Sequence, residues 1–164
     1  MQVFNQCKLK FTCAMAMTFN LDTFIPYITT HTGAVVSDAF ANVYQDVLSN
    51  PQWRIVCHLL QAQSPLTVKQ LCDKAMLDKS TASRAVGELQ SIQWLDVQPC
   101  AHDKRAKKVC LSDYGREQFA AITPQALAWQ QQLLAAFDER EKAMLITLLE
   151  KLARQAAGIK KAHQ

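Results

Sequence analysis

Glycine and proline are scarce in this chain, at four and five among 164 residues. That scarcity excludes collagen-like and linker-type sequences and fits poorly with a turn-rich all-β protein. Long apolar runs are also missing. Nothing approaches the roughly 18 residues needed to cross a bilayer, so no membrane partner is expected. With 49 % hydrophobic and 20 % charged residues the composition excludes wholesale disorder. What remains is a soluble, mostly helical chain of about one domain's length.

The signatures of enzymes are absent too. There is no G-x-S-x-G, no Walker loop and no G-x-G-x-x-G. His31, His58, His102 and His163 show no H-x-x-H or H-E-x-x-H spacing, and no C-x-x-C exists. Neither catalysis, a metal site nor a cofactor is expected. The acidic group Asp138, Glu139 and Glu141 belongs to a helix start, where the helix dipole favours negative charge.

Six cysteines, at 7, 13, 57, 72, 100 and 110, raise the question of an export signal and disulfides. Lys8 and Lys10 precede an apolar stretch, and Ala14-Met15-Ala16 fits a small-x-small cleavage pattern. The apolar core before that site is too short for a secretory signal, which needs about 7–15 residues. The cysteines therefore read as reduced thiols of a cytoplasmic protein. Residues 1–20 read as a flexible arm, with Met15 or Met17 as alternative starts to Met1.

The net charge of +4 decides little, but its distribution is uneven. Residues 66–116 hold nine Lys and Arg against six acids, whereas residues 1–50 hold two against three. Positive potential gathers in the middle of the chain, where a polyanion would be met.

Hydrophobic spacing then divides the chain. Apolar residues at 24, 25, 28, 35, 36, 39, 40, 43, 44 and 47 predict one long or once-broken helix over 21–47. Asn50 as cap and Pro51 at the first position open a second helix to about Ala62, burying Trp53, Val56 or Cys57, and Leu60. Thr67-Val68-Lys69-Gln70 is a capping box for a short helix ending near Lys74. After a turn, Asp78 or Ser80 caps a further helix with inward positions 82, 86 and 89. Two short helices joined by a tight turn are the helix-turn-helix plan.

The period then changes. Residues 94–98 and 108–111 are β-prone and flank a charged tip, 101–107, which predicts a hairpin with a basic loop. Cys100 and Cys110 flank it and are candidates for pairing under oxidation. Ser112 caps a helix interrupted at Pro124, and Asp138 to Glu141 is a second capping box opening the last helix. That helix carries apolar residues at 144, 145, 148, 149, 152, 153 and 156, a stripe wider than one small domain covers. The tail from Gly158 is expected to fray.

A helix-turn-helix followed by a basic hairpin describes a winged helix, whose second helix suits a major groove about 12 Å wide. With 82, 86 and 89 inward, that helix turns Ser80, Thr81, Ser83, Arg84 and Gly87 outward. Small hydroxyls and a glycine permit close approach, and Arg84 offers bidentate contacts to guanine or phosphate. Lys79 precedes them, and Lys104, Lys107 and Lys108 supply salt-dependent phosphate attraction.

At these residues the chain resembles the multiple-antibiotic-resistance-type (MarR) transcription regulators, from roughly Leu21 to Ala157. The resemblance rests on Gln52-Trp53-Arg54, on Leu77 through Arg84, and on Asp103-Lys104-Arg105 leading into Leu111-Ser112-Asp113-Tyr114-Gly115. It implies that Arg105 enters the minor groove and that Asp103 orients it or braces the hairpin. The chain departs from the family where another basic residue often precedes the Asp, having Ala101 beside His102. It departs again where the recognition helix usually ends in Gly, having Gln93.

The fold class expected is therefore mainly α with a small β-hairpin wing. A winged helix-turn-helix over 50–112 joins a helical dimerisation region over 21–48 and 113–157. The function expected is a homodimeric, sequence-specific regulator of double-stranded DNA, a repressor on a pseudo-palindromic operator. The resemblance also implies control by a small aromatic effector near Tyr27, His31, Phe40, Tyr44 and Trp53, residues that otherwise read as ordinary packing. Two alternatives stand beside it. One is a winged-helix protein-interaction module without DNA binding, and the other a thiol-based redox regulator, with Cys13 the best-placed thiol.

Overall fold

A computed structural model describes residues 19–100 and 103–162, without the side chains of residues 100, 103–106 and 161. The chain divides into two units, one ending at Asp38 and the other beginning at Ala39. The described part of the first unit opens on a 3-10 turn, Leu21–Thr23, capped by Asn20, whose Oδ1 accepts the Asp22 N–H at 2.9 Å. Helix α1 (Ile25–Ala41) follows and carries its last residues into the second unit. The helix expected over 21–47 is thus shorter. Beyond Ala41 the backbone tightens into turns, with Val43 N–H donating to the Phe40 carbonyl and Tyr44 N–H to that of Ala41.

Those turns deliver Tyr44 and Leu48 to the core at 2 % and 1 % exposure. Helix α2 (Asn50–Gln61) starts one residue earlier than expected, with Ser49 as its cap and the Ser49 N–H donating to Gln52 Oε1 at 2.7 Å. It buries Ile55, Val56 and Leu59, while Leu60 faces outward. The inward stripe is therefore set by Leu59 rather than the expected Leu60, and Trp53 and Cys57 lie half-buried against the same cluster.

Strand β1 (Leu66–Thr67) leads directly into helix α3 (Val68–Ala75). The Thr67–Gln70 capping box closes as expected: Thr67 N–H donates to Gln70 Oε1 at 2.8 Å, and Gln70 N–H to Thr67 Oγ1 at 3.2 Å. Met76 ends the helix in the left-handed region at φ 49°. Helix α4 (Lys79–Ser91) is capped by Asp78 and buries Ala82, Ala85, Val86 and Leu89.

Strands β2 (Leu95–Cys100) and β3 (Asp103–Leu111) form the hairpin, and β1 adds to the free edge of β3 to give the order β1-β3-β2. The sheet thus has one strand more than a bare wing. Leu95 is buried and Asp96 exposed in β2, and in β3 Val109 and Leu111 are buried while Lys108 and Cys110 are only half-buried, the period-two signature of a sheet with one wetter face. Pro99 lies in β2, an edge strand, where its missing N–H costs no ladder bond.

Helix α5 (Asp113–Leu133) is a single helix that contains Pro124. Helix α6 (Glu139–Ala162) opens on the predicted box, with Asp138 N–H donating to Glu141 Oε2 and Glu141 N–H to Asp138 Oδ1. It continues past Gly158, so the fraying expected there is not observed up to Ala162. The core joins α2, α3, α4 and the sheet through Ile55, Leu71, Leu89 and Val109. Each such side chain contributes roughly 1.5–3 kcal/mol by leaving water. No helix among the described residues is long and apolar enough to cross a membrane.

Candidate nucleic-acid interface

The packing of α4 decides which of its residues face outward. Because Ala82, Ala85, Val86 and Leu89 are committed to the core, Lys79, Ser80, Ser83, Arg84 and Gly87 are exposed, while Thr81 is half-buried at the edge. Ser80, Ser83, Arg84 and Gly87 fall three and four residues apart and share one helix face. The Arg84 guanidinium makes no ion pair among the described residues.

Asp78 organises the start of this face. Its Oδ1 accepts the Ser80 hydroxyl at 2.6 Å and the Thr81 N–H at 2.9 Å, and its Oδ2 accepts the Thr81 hydroxyl at 2.6 Å. The Ser80 hydroxyl first, then that of Thr81, holds the carboxyl well below the usual carboxylate range. Sequence reasoning offered Asp78 or Ser80 as the cap; the structure assigns Asp78 and makes Ser80 its donor.

Glu88 lies on the exposed side of α4, where an acid would repel phosphate. Its Oε2 accepts from Gln52 Nε2 at 2.9 Å, across 36 residues of sequence. This tie between α2 and α4 has no local sequence signal. A groove of about 250 Å³, lined by Ser49, Pro51, Thr81, Arg84, Ala85 and Glu88, lies beside it.

The wing differs from the expected short hairpin. Its strands reach Cys100 and Asp103, which pair with each other, so most of the charged tip is strand. The register shifts between Pro99, paired with Lys107, and Cys100, paired with Asp103. The backbone of residues 104–106 thus forms an irregular step of β3. The side chains of Asp103, Lys104 and Arg105 lie outside the described residues, as do Ala101 and His102. Lys107 and Lys108 are consecutive in β3 and so project to opposite faces of the sheet.

The register also separates two cysteines. Cys110 pairs with Asp96, four residues along β2 from Cys100, or about 13 Å at strand spacing. A disulfide needs Cα atoms within about 7 Å, so the pairing of Cys100 with Cys110 considered above does not occur in this register. Burial pushes the Cys57 thiol up to about 11. Cys13 lies outside the described residues. No group of three or more potential metal ligands occurs among the described residues.

The five aromatic candidates separate into two sets. Tyr27 and His31 stack on each other at 5.8 Å and are exposed. Phe40, Tyr44 and Trp53 pack on one another with ring centroids 4.7–5.3 Å apart, and Phe119 and Trp129 extend the cluster. Burial raises the Tyr44 hydroxyl above its ordinary range. In this structure the second set is core packing, which is where so much aromatic surface gains most.

Residues 48–106 match the model of the MarR family. Over 95 residues the chain is 25 % identical to the uncharacterized HTH-type transcriptional regulator YwoH of Bacillus subtilis (strain 168), covering 58 % of this chain and 68 % of that one. A MarR/EmrR family transcriptional regulator from Acinetobacter sp. ADP1 superposes with a TM-score of 0.74 at 27 % identity, over 85 % of this chain and 99 % of that one. The PcaV transcriptional regulator of Streptomyces coelicolor, solved in complex with its natural ligand, shares the fold at a TM-score of 0.67 and 21 % identity, over 87 % of this chain and 99 % of that one.

Proposed function

We propose that this chain, whose residues 48–106 match the MarR family of transcriptional regulators, is a homodimeric repressor of a pseudo-palindromic operator. One observation carries the reading. The second helix of the helix-turn-helix presents Ser80, Ser83, Arg84 and Gly87 on a single exposed face. Such a face fits the major groove, with small residues allowing approach and Arg84 supplying charge-assisted contacts. Arg105, on the irregular step of the wing, reaches the adjoining minor groove, braced by Asp103. Lys79, Lys104, Lys107 and Lys108 add phosphate attraction.

The division of labour follows the element order. Residues 50–112 bind DNA, while 21–48 and 113–157 hold the dimer together. Helix α6 supports this, because Met144, Leu145, Leu148, Leu149 and Leu152 are all at least 36 % exposed in a single chain. A groove of about 320 Å³ at its start, lined by Phe137, Arg140, Glu141, Met144, Leu145 and Leu148, belongs to the same surface. A twofold dimer places its recognition helices about 10–10.5 base pairs apart. Seated on a promoter in the cytoplasm, it excludes other proteins from that duplex. A small aromatic effector, if it acts near α1, meets Tyr27 and His31, the exposed pair of the five candidates.

The test is a fluorescence-anisotropy titration of labelled duplex from upstream of the protein's own gene. Binding should weaken steeply with salt and collapse in the double variant Arg84→Ala, Arg105→Ala. Binding indifferent to both substitutions refutes the mechanism, and no duplex binding at any salt favours a protein-docking module instead.

A further inference from the structure

The donor and acceptor inventory along the α4 face carries a statement about which bases it reads, resting on the DNA-binding function proposed above. A serine or threonine hydroxyl ordinarily both donates and accepts, and so discriminates poorly among base edges. Here that freedom is removed. The Ser80 and Thr81 hydroxyl protons both point at Asp78, at 2.6 Å each. A carboxylate has no proton to give back, so both hydroxyls are the donors in these bonds. What each offers to a third party is lone pairs only.

The consequence is a polarity filter. We propose that Ser80, held by Asp78 as an acceptor-only group, selects an amino-bearing base, adenine or cytosine, at one major-groove position in each half-site. Adenine N6 and cytosine N4 donate there, whereas guanine O6 and N7, thymine O4 and every phosphate oxygen only accept. An acceptor-only hydroxyl is repelled by all of the latter. Arg84, four residues on along the same face, is donor-only and has the opposite preference. Thr81 is half-buried, so its hydroxyl stiffens the arrangement rather than reaching a base. Asp78 is thus a positioning residue. It acts on sequence preference through the hydroxyl it orients.

Selection from a random duplex pool with the wild-type full chain, followed by affinities for duplexes changed at single positions, tests this. The comparison uses Ser80→Ala and Asp78→Ser, the latter retaining a good helix cap while removing both carboxylate oxygens. Wild type should prefer A or C over G or T at one position per half-site, by about tenfold, as a good base contact gives. Ser80→Ala should become indifferent there while keeping its preferences elsewhere. Asp78→Ser should also accept G or T, because the freed hydroxyl donates, and melting curves confirm that it folds. The inference is overturned if Ser80→Ala changes no preference, if the Ser80-dependent position carries G or T in wild type, or if Asp78→Ser discriminates as wild type does. Failure to enrich any duplex overturns the DNA-binding function itself, an outcome distinct from enrichment of keto-bearing positions.

Discussion

The carbonyl oxygen of Trp94 occupies the space that a Cβ on residue 115 would need, so Gly115 is the residue that lets α5 start against the wing. Two hydrogen bonds lock the same joint. The Ser112 hydroxyl donates to the Gln93 carbonyl at 2.7 Å while accepting the Gly115 N–H at 2.9 Å. The Ser-x-x-Gly spacing is thereby explained by packing. Gly115→Ala should cost about 1–3 kcal/mol, as overpacking against backbone does, and lower Tm by several degrees at fixed protein concentration. Gly87→Ala, with nothing near its Cβ, should leave Tm unchanged or raise it by helix propensity. Thermal melts followed by circular dichroism check both.

Gln93 adopts φ 63°, the left-handed conformation that the residue ending α4 requires before β2. A side chain there costs roughly 1–2 kcal/mol relative to glycine, so Gln93→Gly should stabilise the chain by about 1 kcal/mol. Gln93→Val, β-branched, should destabilise it. Urea midpoints at unchanged slope report the sign of each.

Asp78 makes the acid limb of stability predictable. Its carboxyl is held below the ordinary range by the Ser80 and Thr81 hydroxyls. A depressed folded-state pKa contributes stability above the unfolded value, near 4, and that contribution is lost as pH falls below it. Urea midpoints should therefore drop more steeply below about pH 4 for wild type than for Asp78→Ser. Parallel acid limbs would show that the cap's charge is not felt.

Cys57 provides the opposite sign. Burial raises its thiol from 9.0 to about 11, so its stabilising contribution is full below pH 9 and fades as pH climbs toward 11. At pH 8 the thiolate is scarce, and alkylation of Cys57 in the folded chain should be far slower than in urea. Peptide mapping after timed iodoacetamide treatment measures it; equal rates would contradict the half-buried placement against the core.

The exposed apolar stripe of α6 should decide oligomeric state. Wild type is expected to sediment at twice the 18.4 kDa chain mass. Leu148→Asp with Leu152→Asp should shift it toward monomer and weaken operator binding, since both side chains lie exposed in the single chain, at 54 % and 38 %. Sedimentation at the monomer mass for wild type would contradict the dimer.

Much was legible locally. The Thr67–Gln70 and Asp138–Glu141 boxes, the cap before α4 and the inward positions of Ala82, Val86 and Leu89 depend on neighbours three or four residues apart, and each is found as read. Local pattern is ambiguous at two places. In α2, Leu59 and Leu60 are equivalent on hydrophobicity, and only the angle at which the helix meets the core chose Leu59. At 42–47 a helical period persisted, but burial of Tyr44 and Leu48 was reached through turns.

Short-range chemistry in the chain therefore determined most of the helices, the caps before α3, α4 and α6 and the outward set Ser80, Ser83, Arg84 and Gly87. Only tertiary structure decided the Gln52 bond to Glu88, the register that parts Cys110 from Cys100, the third strand at Leu66–Thr67 and the collapse of Phe40, Tyr44 and Trp53 into packing. The physical reason is distance along the chain. A cap or helix stripe is settled within one turn, whereas cross-element contacts are settled by which surfaces the whole unit can bury at once.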